Sequence, residues 1–131
     1  MIKISISTSG RNDLVDITSR VRRIAASENF QSGICTVFVP HTTAGVCINE
    51  AADPDVREDI ISHLDKAVPW KSSYRHLEGN SAAHIKAVIT GSSVTVPVED
   101  GRLLLGTWQG IYFCEFDGPR KRNILVSLVS S

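Results

Sequence analysis

The last third of the chain holds four successive strand-like runs, 93–98, 102–106, 109–116 and 122–129, the first of them alternating apolar and polar residues, separated only by short turns. A period of two belongs to strands, and such turns leave no room for the helix that a parallel crossover needs. These runs are therefore expected to build a largely antiparallel sheet. Earlier in the chain the period changes. Ile2, Ile4 and Ile6 alternate with Lys3, Ser5 and Ser7 as a half-buried opening strand, and Ile17, Val21, Ile24 and Ala25 share a helical stripe after Asp16, a candidate N-cap. Residues 33–39 and 45–48 read as strands. Asp53-Pro54 places cap and first-turn residues ahead of a second helix with the stripe Val56, Ile60, Leu64 and Ala67. Asn80 or Ser81 opens a short third helix that ends near Thr90-Gly91. Strands in a run, with helices interposed only earlier, predict one compact α+β domain over 1–131: largely antiparallel sheet layers with two to three helices.

Fourteen Lys and Arg residues balance 14 Asp and Glu, so no net field draws the chain toward nucleic acid or an anionic membrane. The densest basic run, Arg120-Lys121-Arg122, reads as a solvated turn or a local anion patch. No apolar stretch approaches the roughly 20 residues that span a bilayer, and Met1-Ile2-Lys3-Ile4-Ser5 lacks the apolar segment of a signal peptide. A cytoplasmic location is expected, with neither nucleic acid nor membrane as partner. Cys35, Cys47 and Cys114 are odd in number and form no Cys-x-x-Cys pair, which predicts small core hydrophobes and argues against a disulfide framework or a zinc ribbon.

Three of the four histidines fall where turns or helix starts are expected. His41 follows the first apolar strand in Pro40-His41-Thr42-Thr43, ahead of Asn49-Glu50; His76 and His84 bracket Leu77-Glu78-Gly79-Asn80-Ser81-Ala82-Ala83. Imidazole is the side chain best suited to move protons near neutral pH and the commonest metal ligand. His63 shares the stripe of the second helix and is expected to be a packed or boundary residue outside the site. Near the C-terminus, Glu115 lies on an otherwise apolar row with Ile111 and Phe113, and a carboxylate buried there needs a partner. A four-residue loop from Asp117 to Arg120 would close a hairpin and set Glu115 opposite Arg122.

Three blocks, taken in order, resemble the YjbQ-like family, described as secondary thiamine-phosphate synthases. They are Val39-Pro40-His41-Thr42-Thr43-Ala44 with Asn49-Glu50 and Asp53-Pro54-Asp55-Val56; His76-Leu77-Glu78-Gly79-Asn80-Ser81-Ala82-Ala83-His84; and Gly106-Thr107-Trp108-Gln109-Gly110 with Glu115-Phe116-Asp117-Gly118-Pro119-Arg120. The resemblance implies a compact α+β domain that assembles as a homotrimer around a polar pocket holding the histidines. It also implies an activity: joining a pyrimidine diphosphate to a thiazole phosphate with release of pyrophosphate.

That chemistry assigns roles to residues. A departing polyanion calls for Mg²⁺ or basic side chains, and the second substrate must be oriented. Arg120, Thr42, Thr43 and the helix start at Asn80 are the expected phosphate contacts, with Arg120 able to bind in a two-pronged way. Trp108 offers a stacking wall for a heterocycle, with Gln109 beside it for a ring edge. His41, His76, His84, Glu50 and Glu78 are the candidate catalytic groups. The three histidines would leave an open position on Zn²⁺, whereas Mg²⁺ would prefer the carboxylates. Two classes are thus open: a transferase or hydrolase of a small phosphorylated metabolite, or a non-catalytic module holding a metal or small ligand.

Overall fold

The computed structural model describes residues 1–131. Its elements run β1 (Ile2–Ser7), β2 (Asp13–Asp16), α1 (Thr18–Ser27), β3 (Gly33–Phe38), β4 (Ala44–Glu50), α2 (Pro54–Ala67), α3 (Ser81–Thr90), β5 (Ser93–Glu99), β6 (Arg102–Leu103), β7 (Gln109–Glu115) and β8 (Lys121–Ser130). They form a single α+β domain with two antiparallel sheets. One has the order β1-β8-β3-β5-β6, the other β2-β7-β4.

The alternation that predicts these strands also stacks the sheets. Ile6, Cys35, Val37, Val96, Ile124 and Val126 from the larger sheet meet Val46, Ile111 and Phe113 from the smaller one, and Ile17, just ahead of α1, with Val21 and Ile24 of α1 closes the main core. Burying each of the larger aliphatic or aromatic chains contributes about 1.5–3 kcal/mol. Strand β7 is apolar on both faces because it serves two cores. Its other face sends Tyr112 and Cys114 into a second cluster with Leu14, Ala83 and Phe116, against which Ile60, Ile61 and Leu64 of α2 pack. The three cysteines carry free thiols, as expected.

Several sequence expectations change. The chain from β7 to β8 does not close a hairpin: β7 pairs with β2 and β4, while β8 pairs with β1 and β3. Residues 116–120 instead carry the chain from one sheet to the other. Gly118 permits the crossing, since a Cβ there would stand 2.4 Å from the carbonyl oxygen of Gly10. Strand β2, unforeseen, takes the β7 edge. The strand expected over 102–106 stops after Leu103. Helix α2 buries none of its residues fully, and His63 on it is exposed rather than packed, because α2 is an outer layer with one side half covered. The N-cap of α1 is Ile17, without a side-chain cap, and not Asp16 as expected; Asp16 stands one residue earlier and braces the turn, accepting from the Thr18 amide at 2.9 Å and its hydroxyl at 2.6 Å. No helix is long and apolar enough to cross a membrane.

Candidate functional site

At the end of β3 the chain turns outward through Pro40, so His41 and Thr42 stand at the surface while Thr43 dips back into the interior. Two adjoining open clefts meet at His41, Thr42 and Ser92. One, of about 410 Å³, runs along α3 past His84 and Val88; the other, of about 530 Å³, is lined by Thr43, Arg120 and Arg122. Both volumes fall in the range of small-molecule sites. Gly45 makes the α3 wall possible: a Cβ there would stand 2.6 Å from the Gly91 carbonyl oxygen, which instead accepts the Val46 amide at 3.1 Å.

His41 is held by its neighbours. The Asn123 amide donates to its Nε2 at 3.0 Å. That lone pair is taken, so the neutral ring carries its proton on Nδ1 and can donate from there. Burial, and then the Arg122 guanidinium, hold this imidazole below its ordinary value of 6.5, with Arg120 acting in the same direction. His41 is accordingly neutral at pH 7.

Behind His41 lies a buried ionic network. Arg122 donates from Nε to Glu115 Oε1 at 2.8 Å, from Nη2 to Oε2, and from Nη2 to Thr43 Oγ1 at 2.7 Å. The Thr8 hydroxyl at 2.9 Å and the Asp117 amide at 3.1 Å complete the shell around Glu115. Burial alone would raise the Glu115 carboxyl, but the hydrogen bonds from Arg122, Asp117 and Thr8 and the Arg122 charge outweigh it and bring it below 4.5. The expected Glu115–Arg122 pair therefore exists, though it spans the two sheets instead of a hairpin ladder. Arg122 went unassigned to the site in sequence; its signal was a cation alternating with Ile124 and Val126 on the buried face of β8.

Arg120 sits at the cleft rim, half exposed, where its Nε donates to the Asp117 carbonyl at 2.9 Å and its Nη2 meets the Asp117 carboxylate at 3.2 Å. The same carboxylate accepts from Asn80 Nδ2 at 3.0 Å, tying the start of α3 to this loop. Asn80 makes no side-chain cap, and its Oδ1 is buried without a partner.

The histidines form a chain rather than one cluster. His84 shares the first cleft with His41 and meets His76 edge-on, with ring centroids 5.3 Å apart and planes at 85°. No group of three or more His, Cys, Asp or Glu side chains is arranged to hold a metal, so a three-histidine centre is not complete within one chain. Glu78 is exposed. Glu50 accepts the Ala52 amide at 2.8 Å, a local turn role. Trp108, 65% exposed, and Gln109 lie with Glu50 at the far end of the β4–β7 ladder, where Glu50 pairs with Gln109, whereas Ala44 pairs with Glu115 at the cleft end. Six residues of strand, about 20 Å, separate the two ends. Thr43 is taken up by Arg122, leaving Thr42 as the exposed hydroxyl.

Two stacked antiparallel sheets with a helical outer layer and a basic, histidine-bearing cleft at one end define the class as a small α+β domain. The chain belongs to the family described as UPF0047 protein YjbQ-like, which it matches over residues 2–131. It is 48% identical over 127 residues to the UPF0047 protein YugU of Bacillus subtilis, covering 96% of each chain, and 48% identical over 129 residues to the UPF0047 protein MJ1081 of Methanocaldococcus jannaschii, covering 98% of this chain and 94% of that one. A crystal structure of a YjbQ/UPF0047-family protein from Clostridium acetobutylicum superposes with a TM-score of 0.97 at 50% identity, over 98% of this chain and 100% of that one. A YbjQ-like protein of unknown function from Sulfolobus solfataricus gives 0.95 at 35% identity, over 99% and 96%.

Proposed function

We propose that this protein is a small cytoplasmic enzyme that acts on a phosphorylated metabolite, a transferase of the thiamine-phosphate synthase type that joins a pyrimidine diphosphate to a thiazole phosphate and releases pyrophosphate. The observation that carries the reading is the convergence of His41, Thr42, Arg120 and Arg122 on one open cleft. In this reading the Arg120 guanidinium and Thr42 hydroxyl receive phosphate oxygens, and the buried Arg122 supplies a fixed positive field beneath them. Neutral His41 donates from Nδ1 to an oxygen that gains charge as pyrophosphate leaves. His84, across the cleft, is the group that carries a proton. The specific pair of substrates comes from the family resemblance; the cleft supports the phosphate part.

His76 and His84 offer a transition metal two imidazoles, and His41 keeps Nε2 engaged with Asn123. These residues do not make a complete metal set, and no step here passes through one. A divalent ion enters the proposal only as a companion of the diphosphate itself. Self-association as a homotrimer is part of the same proposal; uncovered Leu77, Val88 and Ile89, 100%, 83% and 59% exposed, support association, while the number three comes from the resemblance. The balance of charge supports no nucleic-acid partner. The His76–His84 contact favours the second reading, a non-catalytic module for a metal or small ligand.

Turnover of the pyrimidine and thiazole precursors, measured with pyrophosphate affinity on the same preparation, tests the proposal. His41→Ala should abolish turnover. Arg120→Lys should weaken pyrophosphate binding by about 1.5–3 kcal/mol, the range for hydrogen bonds to charged groups. Its melting point should hardly move, because a half-exposed pair contributes about 0–1 kcal/mol. Ligand retention without turnover across a panel of phosphorylated metabolites would favour the module. An Arg120→Lys protein that binds normally but melts early would reduce Arg120 to a brace for Asp117.

A further inference from the structure

The cleft leaves one reactive pair unused. In the β4–β7 ladder Gly45 stands opposite Cys114 and Cys47 opposite Tyr112, so the two cysteines are diagonal neighbours on one face of the sheet. Their sulfurs are 3.5 Å apart. They differ in access: Cys47 is half-buried at the margin of the second core, whereas Cys114 is 2% exposed within it. Cys35 lies fully buried in the main core.

We propose that Cys47 and Cys114 form a thiol–disulfide exchange site, in which Cys47 attacks a low-molecular-weight disulfide and Cys114 resolves the product into an intramolecular disulfide. The geometry suits the second step. The sulfurs need close only from 3.5 Å to about 2.05 Å, and the strands that carry them are already paired, so the bond requires no new register. The asymmetry suits the first step. The Cys114 thiol beside it draws Cys47 below the ordinary thiol value despite burial, while that contact and burial hold Cys114 well above it. The accessible sulfur is thus also the one that more readily becomes a thiolate, the attacking form.

The steps balance. The Cys47 thiolate attacks a small disulfide RSSR, forming Cys47–S–S–R and expelling RS⁻. That thiolate takes the Cys114 proton, and the Cys114 sulfur then attacks the Cys47 sulfur and expels the second RS⁻, which picks up the proton Cys47 had released. The protein loses two protons and two electrons, and RSSR is reduced to two RSH.

The test is to expose the folded full-length chain to glutathione disulfide, block remaining thiols with iodoacetamide under denaturing conditions, and map the peptides by mass spectrometry. The expected product is a Cys47–Cys114 cross-linked peptide, reversed by dithiothreitol, with Cys35 alkylated. Cys114→Ala should stop at a stable glutathione adduct on Cys47, and Cys47→Ala should leave both remaining thiols free. The wild-type result decides the matter even if a variant fails to fold. Three free thiols after treatment, a persistent adduct on wild-type Cys47, or a cross-link involving Cys35 would each overturn the proposal.

Discussion

At the scale of single residues, the Glu115–Arg122 pair is where stability and site meet. Both are buried and each satisfies the other, so removing one charge strands its partner in a medium that solvates it poorly. Glu115→Gln should cost about 3–5 kcal/mol in denaturant unfolding, and Arg122→Met in the same background should recover part of it. A double variant no more stable than the single one would mean the pair adds nothing beyond its shape. His41 and Glu115 also set how stability depends on pH. Burial and Arg122 keep folded His41 neutral below 6.5, where the unfolded chain takes up a proton, so its contribution is full above 6.5 and is lost as pH falls through the lower folded value. Glu115 acts in a lower window. Its folded value lies below 4.5, so its contribution holds above 4.5 and is lost as pH falls through that folded value. Melting points should therefore fall between pH 7 and 5.5 more steeply in the wild type than in His41→Ala; parallel slopes would assign the decline to other groups.

Among elements, the contact between α2 and α3 turns on Lys86. Its side chain is 1% exposed and its ammonium pairs with Asp65 of α2, which is 49% exposed and also accepts from Asn12 Nδ2 at 3.1 Å. The two partners are not equivalent. Lys86→Met keeps the apolar stem packed and returns Asp65 to water, so stability should change by less than about 1 kcal/mol. Asp65→Ala leaves the buried ammonium with only Asn12 Oδ1, at 3.4 Å, and should destabilise more. Chemical denaturation of both variants checks the order. Equal losses would show that the helix contact rests on packing alone. Since α3 carries His84 and the cleft wall at Ala87, Val88 and Gly91, Asp65→Ala should also weaken ligand binding at a distance.

On the scale of the whole molecule, the uncovered side of α3 sets an expectation for assembly. Val88 and Ile89 lie beside the cleft, so a subunit packed there would border the site. Sedimentation at micromolar concentration should show a trimer, and Val88→Asp should shift it toward monomer. A wild-type monomer at that concentration would remove self-association from the proposal. Should Trp108, Gln109 and Glu50 take part in chemistry, they must reach the cleft from another copy, because β7 keeps them a strand's length away within one chain.

The element types were legible in the sequence because they depend on local period and caps. Alternation at Ile2, Ile4 and Ile6, the Asp53-Pro54 start of α2, and the double-faced apolar run of β7 each carry their own signal within a few residues. Glu115 announced the need for a partner for the same reason, as a charge on an apolar row, whereas Arg122 was set opposite it by a hairpin register that the fold does not use. Which strands pair was not local. A short loop after Glu115 fits a hairpin or a crossing between sheets equally well, and the choice was made by β2, β4, β1 and β3 competing for the edges of β7 and β8. The same holds for the site. The sequence set imidazoles and arginines at the ends of elements, but only the pairing of β3 with β8 brought His41 over Arg122, the packing of α3 on β4 joined His84 to the cleft, and the β4–β7 ladder left Trp108 at the far end, because side chains distant in sequence meet only where strand pairing and the burial of apolar faces force their elements together.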